Sequence, residues 1–324
     1  MDRVGSVVER GGTLVLDGGL ATELEQRGAD LHDPLWSARV LLERPELIRD
    51  VHLDYFRAGA DLATTASYQA SLSGFAKRGV DRRKALSLIA CSVALARHAR
   101  AMFWTSPDRT PERVWPLIAG SVGPYGAALA DGSEYRGNYG VGRSELIEFH
   151  RPRLHVLVDA AVDVLAIETI PSLEEAEALL EVLAERPTAR AWFSFTTRDA
   201  SYISEGQPIE EAARLVSSSP QVIAVGVNCV PPKQVDALLA RLRSATDLPL
   251  VVYPNSGERW DGKHRCWRGE PQPLDQKAAV LRWRAAGARL IGGCCRTTPA
   301  TISAIRTALN SPAPAATDTY PVTD

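Results

Sequence analysis

The sequence predicts a closed (β/α)8 barrel, the TIM-barrel architecture in the α/β class, built as a single domain. Three observations carry that expectation. Eight short apolar runs are each followed by a stretch with helical spacing, and strands alternating with helices throughout belong to parallel α/β folds. The runs are apolar at successive positions, as strands covered on both faces are. Three of the five cysteines and two acids fall at the carboxyl ends of these runs, where such barrels place their active sites. A doubly wound open sheet is the alternative, disfavoured because no glycine-rich dinucleotide fingerprint follows the first strand.

Residues 1–12 read as a charged N-terminal extension without the apolar run of a signal peptide. The first strand, within 13–19, stops at Asp17, Gly18 and Gly19, an acid and a tight turn. Residues 45–58 place Leu47, Ile48, Val51, Leu53, Tyr55 and Phe56 at helical spacing, and Gly59 ends that helix. Residues 61–68 give the second strand and 81–103 a long helix rich in alanine and arginine. The third strand, 115–124, ends in a glycine-proline turn. A polar loop, 131–139, with Asp131, Glu134 and Tyr135, leads to a helix starting near Ser144, and loops of this length are usually functional.

The fourth strand, 163–169, carries Glu168, and Ser172 with Glu175 reads as a capping box for the next helix. Residues 191–196 form the fifth strand, before a helix over 209–217. The sixth, 222–230, ends on Asn228 and Cys229 before a helix over 233–245. The seventh, 249–255, carries Tyr253 and Asn255, and a long loop through Trp260, Cys266 and Trp267 precedes a helix over 274–286. The eighth begins at Arg289 and runs through Gly292 and Gly293 into Cys294 and Cys295, with a last helix over 299–309. The barrel thus spans 13–310. Three prolines among small and polar residues predict an unfolded tail over 311–324.

Hydrophobic residues make up 45% of the 324 and charged ones 23%, enough for a large core. A net charge of -2, with both signs mixed along the chain, gives no reason to expect nucleic acid or a membrane surface as partner, so small molecules are the expected ligands. No apolar stretch reads as a membrane span. Five cysteines, two of them adjacent, fit thiols kept reduced in the cytoplasm better than a disulfide framework. Nothing in the sequence sets the oligomeric state.

If the sixth and eighth strands lie close in one sheet, Cys229, Cys294 and Cys295 meet at its carboxyl edge. Three thiolates without a fourth protein ligand describe a zinc site, one ion per chain, with an open position. Gly292 and Gly293 are expected to free the backbone so that adjacent cysteines share one partner. A vicinal disulfide is disfavoured in a reducing compartment. Cys91 reads as helix packing, and Cys266, off any strand end, as a bystander thiol. None of the six histidines falls at a strand end. A site so rich in sulfur is a poor generator of hydroxide but suits a soft ligand such as a further thiol, which would lose its proton there. Asp17 could also be only a turn residue; Glu168 is harder to dismiss, because buried carboxylates are rare without a partner.

The motifs Leu16-Asp17-Gly18-Gly19, Gly226-Val227-Asn228-Cys229 and Gly292-Gly293-Cys294-Cys295-Arg296-Thr297 resemble those of the zinc-dependent homocysteine S-methyltransferase family, over nearly the whole chain. Residues 131–135 and 253–258 are similar to the stand-alone members that use S-methylmethionine. The resemblance implies zinc on the three cysteines and a zinc-bound homocysteine thiolate that takes a methyl from S-methylmethionine, or less efficiently S-adenosylmethionine, giving methionine. It assigns Asp17 and Glu168 to the homocysteine amino group, Gly18 and Gly19 to its carboxylate, and Asn228 to the same substrate. Asp131, Glu134, Tyr135, Tyr253 and Asn255 are the donor-side candidates. A betaine-type donor or a selenohomocysteine acceptor is the alternative within the class; a non-catalytic zinc-storing or thiol-sensing protein is the alternative outside it.

Overall fold

The computed structural model describes residues 3–29, 37–261, 264 and 266–311. Its main sheet has eight parallel strands: β1 (Leu14–Val15), β2 (Leu62–Thr64), β3 (Leu117–Val122), β4 (Val164–Ile170), β5 (Ala191–Phe195), β6 (Val222–Asn228), β7 (Leu250–Tyr253) and β10 (Ala288–Ile291). A small antiparallel hairpin, β8 (Arg259–Asp261) and β9 (Cys266–Arg268), stands in the loop after β7. The barrel strands follow the order β1-β10-β7-β6-β5-β4-β3-β2, so β1 and β2 meet at the seam of a nearly closed barrel.

Two aspartates close that seam. Asp61 N donates to Val15 O at 2.7 Å while Val15 N donates to Asp61 Oδ2 at 2.9 Å. Towards the carboxyl end, Asp17 accepts from Thr64 N at 2.7 Å and from Thr64 Oγ1 at 2.8 Å. The side chains thus replace a backbone ladder, whose donors and acceptors must be satisfied once buried.

The outer layer consists of α4 (Pro45–Ala58), α6 (Arg82–Trp104), α8 (Arg143–Asp159), α9 (Leu173–Ala184), α10 (Ile209–Ser217), α11 (Pro232–Ala245), α12 (Gln276–Ala285) and α13 (Pro299–Asn310). Each lies within a few residues of its sequence expectation. Four short helices in strand-to-helix loops were not expected: α2 (Leu20–Gln26), α3 (Ser37–Glu43), α5 (Leu72–Ala76) and α7 (Tyr125–Leu129). Ser172 Oγ caps α9 by accepting from Glu175 N at 3.2 Å, but the expected capping box is incomplete. The Glu175 carboxylate instead accepts from Tyr125 N and from Tyr139 Oη at 2.9 Å and pairs with His150 Nε2 at 2.9 Å, tying the loop after β3 to the barrel wall.

Residues 3–9, placed outside the barrel by the sequence reading, form α1 (Arg3–Glu9). Its Val4 and Val8 pack with Leu14, Leu62, Leu117, Trp192 and Leu290 in the barrel interior, so the amino-terminal end is filled. Of the expected unfolded tail, residues 312–324 lie outside the described residues. Among the described residues, α6 alone is long and apolar enough to cross a membrane by length and composition. It nevertheless buries Leu88, Ile89, Val93 and Phe103, and its Arg97 donates to Ala161 O at 2.6 Å, as an outer helix of the barrel.

Candidate active site

β6 ends one residue before Cys229, and β10 ends three residues before Cys294. Parallel neighbours of β7, the two strands deliver Cys229, Cys294 and Cys295 to one point, with all three Sγ atoms within 4.8 Å of one another. No fourth His, Cys, Asp or Glu joins the group among the described residues. The chemistry of the donor set, three soft sulfurs converging, is that of a metal site with an open position. Hydrogen bonds from the Cys294 and Cys295 thiols, helped by Tyr135 Oη at 3.1 Å, hold the Cys229 thiol well below its ordinary pKa. The other two thiols are correspondingly pushed up by sharing their protons with it.

The backbone bends sharply to achieve this. Cys229 (φ 53°) and Arg296 (φ 65°) both take the left-handed conformation, costly for residues with a Cβ and common where function fixes the chain. Gly292 and Gly293 correct the sequence expectation, since neither has positive φ. They are glycines because of crowding: a Cβ on Gly292 would lie 2.6 Å from Leu16 Cβ, and one on Gly293 2.2 Å from Thr297 Oγ1.

Around the sulfurs lies a cavity lined by Asp17, Gly18, Gly19, Tyr68, Glu134, Tyr135, Glu168, Asn228 and Tyr253, among others. Burial pushes the Asp17 carboxyl up to about 7, against the two Thr64 hydrogen bonds that favour its charged form. Glu168 is likewise raised to about 7 by burial, opposed by hydrogen bonds from Ser121 and Tyr253. A bulge in the pairing of β4 with β5, between Ile167 and Ile170, breaks the strand's alternation at Glu168. Thr169, the next residue, has φ 61°.

Asn228 holds that bulge. Its Oδ1 accepts from Thr169 N at 2.7 Å and Ser194 Oγ at 2.8 Å, while Nδ2 donates to Thr169 Oγ1 at 2.8 Å and lies 3.8 Å from Cys294 Sγ. Asn228 also lines the cavity, so the amide that braces Thr169 sits beside Cys294 and within the substrate space. The glycines differ from expectation in one respect. Gly19 N donates to Thr297 O at 3.3 Å, whereas Gly18 N has no hydrogen-bond partner among the described residues.

The donor-side candidates separate. Glu134 is 7% exposed and raised to about 7 by burial, and its Oε2 has no hydrogen-bond partner. Tyr135 stands beside it in a 3-10 turn, Ser133–Tyr135. Asp131 does not line the cavity; its carboxylate accepts from Ser133 N at 2.9 Å and shapes the turn. Tyr253 Oη lies 3.0 Å from Trp192 Nε1 and 2.6 Å from Ser194 Oγ, beneath Glu168. Asn255 braces the metal-site turn through Cys229 O at 3.1 Å and lines a neighbouring cavity. Thr64, Tyr68 and Ser121 were missed because nothing in their sequence surroundings separates them from ordinary strand residues.

Comparison with known proteins adds to this geometry. A family model described as homocysteine S-methyltransferase matches residues 14–309. The homocysteine S-methyltransferase of Escherichia coli (strain K12) is 52% identical over 302 residues, 93% of this chain and 96% of that protein. Homocysteine S-methyltransferase 4 of Zea mays is 49% identical over 313 residues, 94% and 92% of the two chains. The crystal structure of the metallated homocysteine methyltransferase MmuM from Escherichia coli superposes with a TM-score of 0.83 at 50% identity, covering 93% of this chain and 98% of that one.

Proposed function

The chain belongs to the homocysteine S-methyltransferase family and has that enzymatic activity, and on this premise we propose that its methyl donor is S-methylmethionine, with S-adenosylmethionine less efficient, and that one zinc ion per chain sits on Cys229, Cys294 and Cys295. The observation that carries the reading is the meeting of three sulfurs with buried Asp17, Glu168 and Glu134 in one cavity. Tetrahedral zinc with thiolate bonds of about 2.3 Å sets its sulfurs roughly 3.8 Å apart. The three Sγ atoms, within 4.8 Å of one another, fit such an ion after side-chain shifts of about 1 Å.

Bound zinc supplies the charge that keeps an acceptor thiol deprotonated at neutral pH. Asp17 and Glu168 hold the homocysteine ammonium, and Gly18 N–H is available to its carboxylate. Asn228 orients Cys294. Glu134 and the aromatic rings of Tyr68 and Tyr135 offer the donor cation a carboxylate and π faces. The acceptor sulfur's electron pair forms the new S–CH3 bond as the methyl–sulfonium bond breaks, and that bond's pair returns to the donor sulfur. A thiolate and a cation become two neutral thioethers, both methionine when the donor is S-methylmethionine. The residues therefore act by positioning and desolvation, with no general acid or base at the reacting atoms. Five free thiols and a thiol substrate support a reducing, cytoplasmic setting.

The test is metal-loaded protein with homocysteine and a donor panel, S-methylmethionine, S-adenosylmethionine and betaine, with methionine and bound zinc both quantified. S-Methylmethionine should give the highest kcat/KM, with one zinc per chain. Cys294→Ser should lose zinc and reduce methionine formation by about a hundredfold or more, since changing residues behind a metal ligand already costs about 10–100-fold. Undiminished turnover by zinc-free protein would remove the metal from the mechanism, and no methionine from any donor would favour a binding protein.

A further inference from the structure

A second cavity of about 510 Å³ adjoins the deep one, of about 120 Å³. Two residues, Tyr135 and Cys229, line both. We propose that this outer chamber binds the amino-acid arm of a sulfonium donor, whose cationic centre lies beside Glu134 and Tyr135 in the deep cavity while the arm passes the wall made by Tyr135 and Cys229. The inference rests on the donor reading above and extends it to residues that reading does not use.

Size is the first support. The deep cavity holds Asp17, Glu168 and the sulfur cluster, and is the smaller by fourfold or so on the volumes just given. Homocysteine and the donor's sulfonium centre leave it no room for a second amino-acid arm, which needs space on the other side of the reacting sulfur. Displacement in line with the breaking bond places donor and acceptor on opposite sides of the methyl, and the outer chamber reaches that side past Cys229.

Chemistry is the second support. The hairpin β8–β9 presents Trp260 and Trp267, rings 5.5 Å apart and each partly exposed, to this chamber. Aromatic faces attract a sulfonium and its methylenes. Lys233 lines the same space and has no ion-pair partner among the described residues, which suits the donor carboxylate. Gln272 lines the chamber, and its buried Oε1 has no hydrogen-bond partner, so a small turn of the side chain would offer an acceptor to an ammonium N–H. A cation-binding pair, a cation and an unsatisfied acceptor are together complementary to a zwitterion carrying a sulfonium. Betaine, with a single short carboxylate arm and no ammonium N–H, leaves Gln272 unmatched.

Two measurements on zinc-loaded protein test this. S-Methylmethionine should change tryptophan emission saturably, and Trp260→Phe with Trp267→Phe should remove most of the change, the phenylalanines keeping the hairpin packed. In steady state, Lys233→Gln should raise the donor KM about tenfold, the loss of one charge-assisted hydrogen bond, with homocysteine KM and zinc content within twofold of the parent. Gln272→Leu should raise donor KM for S-methylmethionine but leave it unchanged for betaine. If methionine forms from S-methylmethionine while Lys233→Gln and the double phenylalanine variant keep the parent donor KM and the parent emission change, the chamber is not the donor site. If no sulfonium supports methionine formation, the donor reading itself has failed. The emission titration then judges the chamber alone: saturable binding lost in the double variant upholds it as a sulfonium site, and no binding overturns it.

Discussion

Among single residues, Glu134 has the clearest unmet requirement: a buried carboxyl with one oxygen unbonded, beside Tyr135 and the sulfur cluster. Such a group is costly until a cation arrives. Glu134→Gln keeps shape and removes charge, so donor KM should rise about tenfold or more. Because burial holds this carboxyl near 7, donor affinity in the parent should improve as pH rises from 6 to 8 and ionises it. The variant should lose that part of the pH dependence in donor KM. The sequence cannot separate Glu134 from Asp131, two acids three positions apart in one polar loop. The fold separates them because Asp131 turns back on Ser133 in a local side-chain-to-backbone bond, leaving Glu134 to point inward. The three cysteines, Asp17 and Glu168 could be located from strand ends alone. The bracing role of Asn228 could not, because it depends on Thr169 and Ser194 from two other strands.

At the scale of elements, close strand approach decides what the wall tolerates. A Cβ on Gly226 would lie 1.7 Å from Val251 O on the neighbouring strand, so Gly226→Ala must push β6 from β7 just below Cys229. Urea unfolding should show a loss of about 1–3 kcal/mol or more, and zinc affinity should fall with it because the two strands carry the ligand set. An unchanged unfolding midpoint would contradict this packing. Strands and outer helices were legible because each repeats its period over several turns or a full barrel crossing. The helices α2, α3, α5 and α7, five to seven residues long, span too little chain for a helical period to register and form by packing on the barrel. The β4 bulge and the left-handed Thr169 leave no compositional trace at all, since threonine is an ordinary strand residue.

For the whole molecule, the site's electrostatics enter the stability of the fold. Asp17, Glu134 and Glu168 have folded pKa values raised to about 7. The native chain therefore keeps protons that the unfolded chain releases above its ordinary carboxyl range, and metal- and substrate-free protein should lose stability as pH rises from about 4 through 7. His52, buried and lowered to about 4, works the other way, costing stability as pH falls below about 6.5. Glu134→Gln isolates one contribution: at pH 8 it should be more stable than the parent by roughly 1–3 kcal/mol and at pH 4 nearly equal to it. Equal urea midpoints at pH 8 would show that Glu134 is not strained by its burial.

The filled floor of the barrel has a consequence for traffic. Val4, Val8, Leu14 and Trp192 block the amino-terminal end, so every molecule that reaches the sulfurs enters and leaves by the same mouth. The ligand seated deepest must arrive first and depart last. Turnover should follow a compulsory order, with homocysteine leading, and methionine retained at the bottom should act as a competitive inhibitor against homocysteine.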